Sequence, residues 1–451
     1  MDEGNRVVKL TQGVAILVTL GLLAGCTEPE LILEGERLGV REALSVPEEG
    51  AAAPLDATAP APDMALSLPA PLANADWTQK RGNARHKITH PALGSVPTLV
   101  WSANIGTGDS RRYQITAEPV VAGDRIFTLD SQSRVMAHGL DGAALWSADL
   151  TPPSERTRDA TGGGLAYEDG RVFATTGFGT LVALDAATGA VLWVQRTDAA
   201  VTGAPAVADG LVYVVGRDNR AWAVRAEDGR VQWQLPGTPS PSGLLGGAAP
   251  AVTEQLAIFP FGSSELVAAL RKSGVRVWGA LISGQRRGRV YAQVKDITGD
   301  PVIADGVLYA GNQSGRLAAI RVANGERLWT AEEGSYSPVW PVAGAVFLIS
   351  DQNELIRLDA ETGARVWGVQ LPYFTKQRVK RRDAIFAHYG PVLAGGRLIV
   401  ASDDGLLRFF DPATGAEAGA LTLPGGAASG PVVAGRTLYV VSARGQLHAF
   451  R

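Results

Sequence analysis

One pattern recurs eight times along the chain, and it restricts the fold more than any other feature. It starts at Pro119 with "PVVAGDRIFTL" and returns, varied, at Leu165, Pro205, Pro250, Pro301, Pro341, Pro391 and Pro431. The starts lie roughly 40 to 50 residues apart, a period expected of propeller blades or another repeat array. Each unit reads as four short strands. A "PVV" strand turns through "AGDR" or "ADGL" into a second strand such as "RIFTL". A polar turn ("SQS", "RDN", "DQN" or "DDG") leads to a third, such as "LVALD". Asp-x-x-Thr-Gly then turns the chain into a fourth strand that carries Trp. Period-two alternation and β-branched runs predict strands, and no long 3.6-residue pattern appears outside the first 26 residues.

The last unit ends after its third strand, at "LHAFR", and an orphan strand of the fourth type, "TLVWSANI" with Trp101, precedes the first unit. The expectation is therefore an all-β, eight-bladed β-propeller of four-stranded antiparallel blades. The strand around Trp101 completes the last blade, leaving only short, protected edges. The fourth-strand Trp positions are 101, 146, 193, 233, 278, 329 and 367, with Gly419 in the eighth place. In the turn before Trp193, Asp185 can bond backbone amides, Thr188 can support it, and Gly189 supplies a positive φ. The Trp itself offers a large area to dock on the neighbouring blade. These residues are read as structural.

The chain opens on an export signal. Arg6 and Lys9 precede an apolar run, "VAILVTLGLL", too short to span a bilayer comfortably. "LAGC" at Leu23 to Cys26 resembles the bacterial lipobox, which makes Cys26 the lipidation site. Thr27 follows it where an Asp would direct retention, so the resemblance implies the outer membrane, on its periplasmic face. Two or more acyl chains would hold the protein firmly, since one alone is marginal. The expected organisation is a signal peptide (1–25), a lipidated Cys with a Pro/Ala-rich disordered tether (26–75), an extended segment packing on the propeller (76–98), and the propeller (99–451). Prolines at 29, 47, 54, 60, 62, 69 and 71 keep the tether extended.

Reactive chemistry is thin. Cys26 is the single cysteine, so no intramolecular disulfide and no cysteine-based metal site can form. His86, His90, His138, His388 and His448 show no metal-ligand spacing. "SDDG" at Ser402 and "GNQSG" at Gly311 fall where other units have turns. Neither a nucleophile, a general base nor a phosphate loop is evident. A formal net charge of -3 argues against a dedicated nucleic-acid binder. No catalytic residue, cofactor site or metal site is assigned.

Variation concentrates in the loops between blades, which emerge on one face and mark the working surface. The longest are 102–118, 147–163, 279–300 and 368–390. They carry Arg111 and Arg112; Arg286, Arg287, Arg289 and Lys295 beside Asp296; and Lys376, Arg378, Lys380, Arg381 and Arg382 among Tyr373, Phe374, Ile385 and Phe386. Basic residues mixed with aromatic ones suit a protein hot spot or an anionic lipid.

The repeat is also that of the quinone-cofactor dehydrogenases, which the resemblance would equip with a vicinal disulfide and a calcium site. This chain lacks the second cysteine. An export signal with a lipobox, a Pro-rich tether and a quinoprotein-like propeller without that apparatus together resemble the BamB family of outer-membrane assembly lipoproteins. The "FFDPATG" and "GQLHAF" stretches share in the likeness, which covers roughly 101–451. The resemblance implies a non-catalytic scaffold of the β-barrel assembly (BAM) complex. It would bind the periplasmic domains of the barrel subunit, BamA, join other subunits, and assist insertion of unfolded outer-membrane proteins. In that family the contact uses the loops entering the fourth and fifth "P-V" strands. The matching positions are Leu244 and Leu245 in "SGLLGGAAP" and Asp296 in "KDITGDP". The family's Arg is absent from the first loop, and Thr298 replaces a second Asp. Arg286, Arg287 or Arg289 is expected to restore positive charge nearby. Lys376, Arg378, Lys380, Arg381 and Arg382 form a possible secondary basic surface. The alternatives are a periplasmic quinone-dependent dehydrogenase and a lipid- or glycan-binding propeller.

Overall fold

A short strand with one apolar face is stable only when neighbours cover that face, and the repeats supply each other's cover. In a computed structural model, which describes residues 66–451 apart from 241, 242, 244, 285, 287 and 288, the strands form eight four-stranded antiparallel sheets. Blades 1 to 7 span 120–149, 163–196, 206–236, 251–281, 302–331, 340–370 and 388–422. Blade 8 joins 432–450 to Leu99–Asn104, with Trp101 opposite Ala449. The inner three strands of each blade are buried. The fourth is largely exposed, as in Val191–Arg196. Each apolar cluster draws its side chains from adjacent blades. Phe173, Leu181, Val212 and Val224, for example, meet between blades 2 and 3.

The fourth strand is specialised. In every blade its pairing slips by one residue just before the Trp position, as between Ala183↔Trp193 and Leu184↔Val191. Such a bulge re-aims the next side chain. The Trp ring lands on the glycine turn between third and fourth strands of the following blade, which reads Asp-x-x-Thr-Gly in blades 2, 6 and 7. A Cβ built on Gly189 would lie 2.5 Å from Trp146, and one on Gly229 would lie 2.7 Å from Trp193. At every Trp position but 367 the indole N–H donates to a carbonyl in the same turn, Trp193 to Ala226 at 3.0 Å and Trp278 to Val322 at 2.8 Å. In the turn itself, Asp185 Oδ1 accepts from the Thr188 amide (2.8 Å) and hydroxyl (2.7 Å). Those bonds, the Thr188 hydroxyl's first, hold the Asp185 carboxyl below its ordinary range.

The eighth position explains itself. Blade 8 is closed from two separate chain segments, so no turn links its third and fourth strands. Blade 7 therefore faces no glycine turn, and Gly419 stands where its Trp would be, with nothing within 4 Å of a built Cβ.

A second device fills the axis. The inner strands are short, and their free edges face the central channel, where unpaired backbone groups would be costly. Residues 74–91 make one circuit of these edges. Asn74 bonds Val433 of blade 8 (2.7 Å), and Trp77 exchanges backbone bonds with Val121 of blade 1 (2.7 and 2.9 Å). The Tyr167 amide of blade 2 donates to Thr78 (2.7 Å), and Gln79 bonds Val207 of blade 3 (2.7 Å). Amides of Val252 and Ile303, in blades 4 and 5, donate to Ala84 and Arg85 (2.7 and 3.0 Å). Trp340 of blade 6 donates to Thr89 (3.3 Å), and Gly395 of blade 7 donates to Pro91 (2.9 Å).

Within this plug, Arg81 is 1% exposed and has a left-handed backbone, φ 57°. Its guanidinium donates to the carbonyls of Pro391 (3.0 Å) and Pro338 (3.1 Å) and lies 3.9 Å from Glu118. Burial lowers its proton affinity, and Glu118 and Asp300 oppose that. Lys80 pairs with the buried Asp300 at 2.9 Å. Trp77 and Trp340 stack beside Arg81, their ring centroids 6.5 Å apart.

Candidate protein interface

The inter-blade loops share a face with the turns between second and third strands. In seven of the eight blades the first residue after the fourth strand bonds back to such a turn, as Thr197 to Gly179 at 2.8 Å and Ile282 to Ser264 at 2.8 Å. The plug meets the other face as well, because Gly123, Gly395 and Gly435 lie in turns between first and second strands. The two faces are therefore unequal. One is made of tight, near-identical turns, the other of long loops.

The two loops that family resemblance singles out meet on the loop face. Gly243, in the loop entering blade 4, lies between Arg217 and Asp296. A Cβ there would be 2.9 Å from the Arg217 guanidinium and 3.0 Å from the Asp296 carboxylate. Arg217 donates to the Gly243 carbonyl at 2.9 Å. Gly262 leaves room for the other side of Asp296, at 3.2 Å from a built Cβ. Thr202, Phe261 and Ile297 complete this small depression. Leu245 is 39% exposed and lies over Gly162 of the loop between blades 1 and 2. Asp296 is 8% exposed, so it shapes the depression from below rather than standing out from it.

Of the arginines expected near Asp296, Arg286 has another place. Arg286 reaches blade 6, where it donates two parallel bonds to Asp351 (2.9 and 2.8 Å) and lies 3.6 Å from Glu333. The bonds to Asp351 hold its proton more tightly than usual. The Tyr291 hydroxyl donates to the same carboxylate at 3.0 Å. Arg289 precedes a short 3-10 turn, Val290–Gln293, and Val290 is 87% exposed. Leu244, Arg287 and Cys26 lie outside the described residues. The cation that lies beside Gly243 and Asp296 is Arg217, from the "RDN" turn of blade 3. The sequence marks that stretch only as a polar turn. Its partner loop is discontinuous in the chain, so only the ring geometry connects them.

The basic loop forms a separate protrusion. Phe374 bridges to Ile385, Thr375 bonds Ala384 at 3.1 Å, and the Arg382 guanidinium lies 4.7 Å over the Phe374 ring. Lys376 pairs with Asp383 at 3.3 Å, while Arg378, Lys380 and Arg381 are exposed.

The histidines are structural in their surroundings. His448 bonds Ser102 (2.7 Å) and the Pro424 carbonyl (3.1 Å), and His388 bonds Ser402 (2.6 Å) and the Pro372 carbonyl (2.7 Å). Asp404 in "SDDG" pairs with Arg408 at 2.5 Å within a hairpin turn. Among the described residues no cluster of His, Cys, Asp and Glu has the arrangement of a metal site.

A family model described as outer membrane protein assembly factor BamB matches residues 134–369 and 375–451. The protein of that name from Yersinia pestis is 28% identical over 364 residues, covering 78% of this chain and 88% of that protein. The one from Bordetella pertussis is 26% identical over 350 residues, covering 76% and 84%. Among solved structures, BamB from Moraxella catarrhalis superposes with a TM-score of 0.65 at 21% identity, covering 79% of this chain and all of that one. The quinohemoprotein alcohol dehydrogenase of Comamonas testosteroni reaches the same TM-score, 0.65, at 17% identity, covering 83% and 80%. Backbone shape is thus shared between assembly factors and redox enzymes, and the residue pattern separates them. By that pattern, this chain belongs to the family of the outer membrane protein assembly factor BamB.

Proposed function

We propose that the protein is a non-catalytic, lipid-anchored scaffold of the outer-membrane β-barrel assembly machinery. It acts from the periplasmic face and binds the periplasmic domains of the barrel subunit, BamA, through the loop face around Leu245, assisting insertion of outer-membrane proteins. The observation that carries this reading is the meeting of two loops far apart in sequence. Gly243 and Asp296 share one depression beside an exposed leucine. A partly exposed apolar anchor next to buried polar groups suits a protein hot spot. Family membership supports the assembly role, and Cys26 in its lipobox supports the anchor.

The quinone-dependent alternative has the same backbone but a filled axis. Residues 74–91 and the Trp77–Trp340 stack occupy the channel, and Cys26 is the single cysteine. Reconstitution with quinone and calcium, followed by dye reduction with alcohols, tests that alternative directly.

Affinity capture tests the scaffold reading. Tagged protein from detergent-solubilised outer membranes should enrich the barrel subunit, and Leu245→Asp should reduce that enrichment by about tenfold with an unchanged melting temperature. Capture of no assembly subunit by the wild type would overturn the proposal.

A further inference from the structure

Two tips on the loop face hold a valine out in water: Val290 is 87% exposed and Val379 75%. Each stands directly after an exposed arginine, Arg289 or Arg378, and each opens a short 3-10 turn, Val290–Gln293 or Val379–Arg381. Both rise from one support. Arg286 and Tyr291 of the first loop bond Asp351, in the turn between second and third strands of blade 6. The Asn353 side-chain amide, in the same turn, donates to the Phe386 carbonyl of the second loop at 2.8 Å.

The second tip is a braced hairpin. The Phe386 amide donates to the Tyr373 carbonyl at 2.8 Å, and the Tyr373 and Phe374 rings meet edge to face, 4.7 Å apart. Beyond those contacts every residue from 376 to 383 is exposed. That apex holds five cations and one anion, in a chain of net charge -3. Asp383 pairs with Lys376 and Arg382 lies over Phe374, but Arg378, Lys380 and Arg381 make no ion pair or side-chain hydrogen bond among the described residues. The carboxylates at the support are already engaged, Asp351 by Arg286 and Glu333 by Arg286 and Arg365.

A valine that stands clear of its neighbours has no rim to exclude water, as the centre of a protein hot spot has. Beside unpaired cations it has the composition of a segment that lies at an anionic lipid surface. There the cations meet headgroup phosphates and the apolar side chain leaves water. Two convex tips tied to one turn suit a flat partner rather than a chain held in a cleft. We infer that the tips at 289–290 and 378–381 dock on an anionic phospholipid surface, with Val290 and Val379 entering the headgroup layer and Arg289, Arg378, Lys380 and Arg381 meeting the phosphates. The contact belongs to the loops entering blades 5 and 7, goes beyond the scaffold reading, and needs neither the barrel subunit nor an acyl chain.

Vesicle sedimentation tests it with residues 27–451, which keep all eight blades and the plug and carry no acyl group. Vesicles of phosphatidylcholine with about one-quarter phosphatidylglycerol should bind the protein, less so as salt rises, and phosphatidylcholine alone should not. Arg378→Ala/Lys380→Ala/Arg381→Ala should weaken binding about tenfold or more, and Val290→Ser/Val379→Ser should weaken it severalfold. Arg230→Ala/Lys272→Ala/Arg436→Ala removes the same charge from exposed turns of the other face and should change little. All substituted residues are exposed, and an unchanged melting temperature confirms the fold. Equal binding to both vesicles, wild-type binding by either tip variant, or an equal loss in the other-face variant would overturn the inference.

A second readout locates the contact. Residues 27–451 contain no cysteine, so an environment-sensitive dye on Val379→Cys reports that tip alone. Its emission should shift to the blue on the anionic vesicles, and the same dye on Glu361→Cys, on the other face, should not shift. A shift at both positions or at neither contradicts docking through the tip. Absence of vesicle binding, with adducts from a photoreactive residue at 379 to a protein, would assign the protrusion to a protein partner and overturn the inference. None of these outcomes bears on capture of the barrel subunit, so the scaffold reading stands or falls separately.

Discussion

Gly325 and Gly306 share a left-handed backbone but not a neighbourhood. Their φ angles are 76° and 79°, yet a Cβ on Gly325 would lie 2.8 Å from the Trp278 ring while one on Gly306 meets nothing within 4 Å. Ala at 306 should therefore cost about 1 kcal/mol, the backbone term alone. Ala at 325 should cost at least about 1 kcal/mol more, because the ring is held by its own hydrogen bond and cannot retreat. Urea unfolding of the two variants checks this, and equal midpoints would contradict it. His86 gives a pH test. It is 2% exposed, its Nδ1 lies 2.8 Å from the Pro301 carbonyl, and burial, opposed by Asp300, lowers its proton affinity. The unfolded chain, with His near pH 6.5, then binds more protons than the folded one as pH falls through that value. The group's stabilisation is complete above about pH 6.5 and declines below it. The stability advantage of wild type over His86→Gln should narrow between about pH 7.5 and about pH 5.5. A constant difference would contradict the assignment. At this scale the repeat was legible, because Asp, Thr, Gly and Trp each have one local job. Arg217 was not, because its role depends on Gly243, which follows in the chain but belongs to another blade's loop.

The plug shows the limit of reading elements from pattern. "ADWTQKRGNARH" has no strand or helix period; packing on the propeller was expected of it, but its circuit of the blades rests on backbone bonds and on single side chains such as Gln79, Lys80 and Arg81, which follow no period. The seam was legible for the opposite reason. A fourth strand with Trp101 before the first unit and a missing one after the last can be matched residue by residue, and Gly419 fits the same closure. The buried pair inside the plug can be tested by a double-mutant cycle. Glu118→Gln leaves the Arg81 charge enclosed and should cost about 3 kcal/mol in urea unfolding, and adding Arg81→Met should recover part of the loss. Additive losses would show that the pair does not act as a unit. Because residues 74–91 bond every blade in turn, this loss should appear in the global transition rather than as local fraying.

For the whole molecule, the two faces divide structure from function. Seven Trp-on-glycine contacts and the plug fix the ring through near-identical turns. The opposite face carries the loops whose lengths and charges differ from blade to blade. Loop lengths and charges put variation on that face, whereas the pairing of the 243 and 296 loops came only as what the family resemblance implied, since their meeting is set by how adjacent blades are rotated about the axis. Photocrosslinking in living cells tests the division most directly. A photoreactive residue at Leu245, on the loop face, is compared with one at Glu361, exposed in a turn of the other face. The scaffold account predicts adducts to the barrel subunit from 245 and none from 361. Adducts from 361 alone, or equal yields from both, would contradict it.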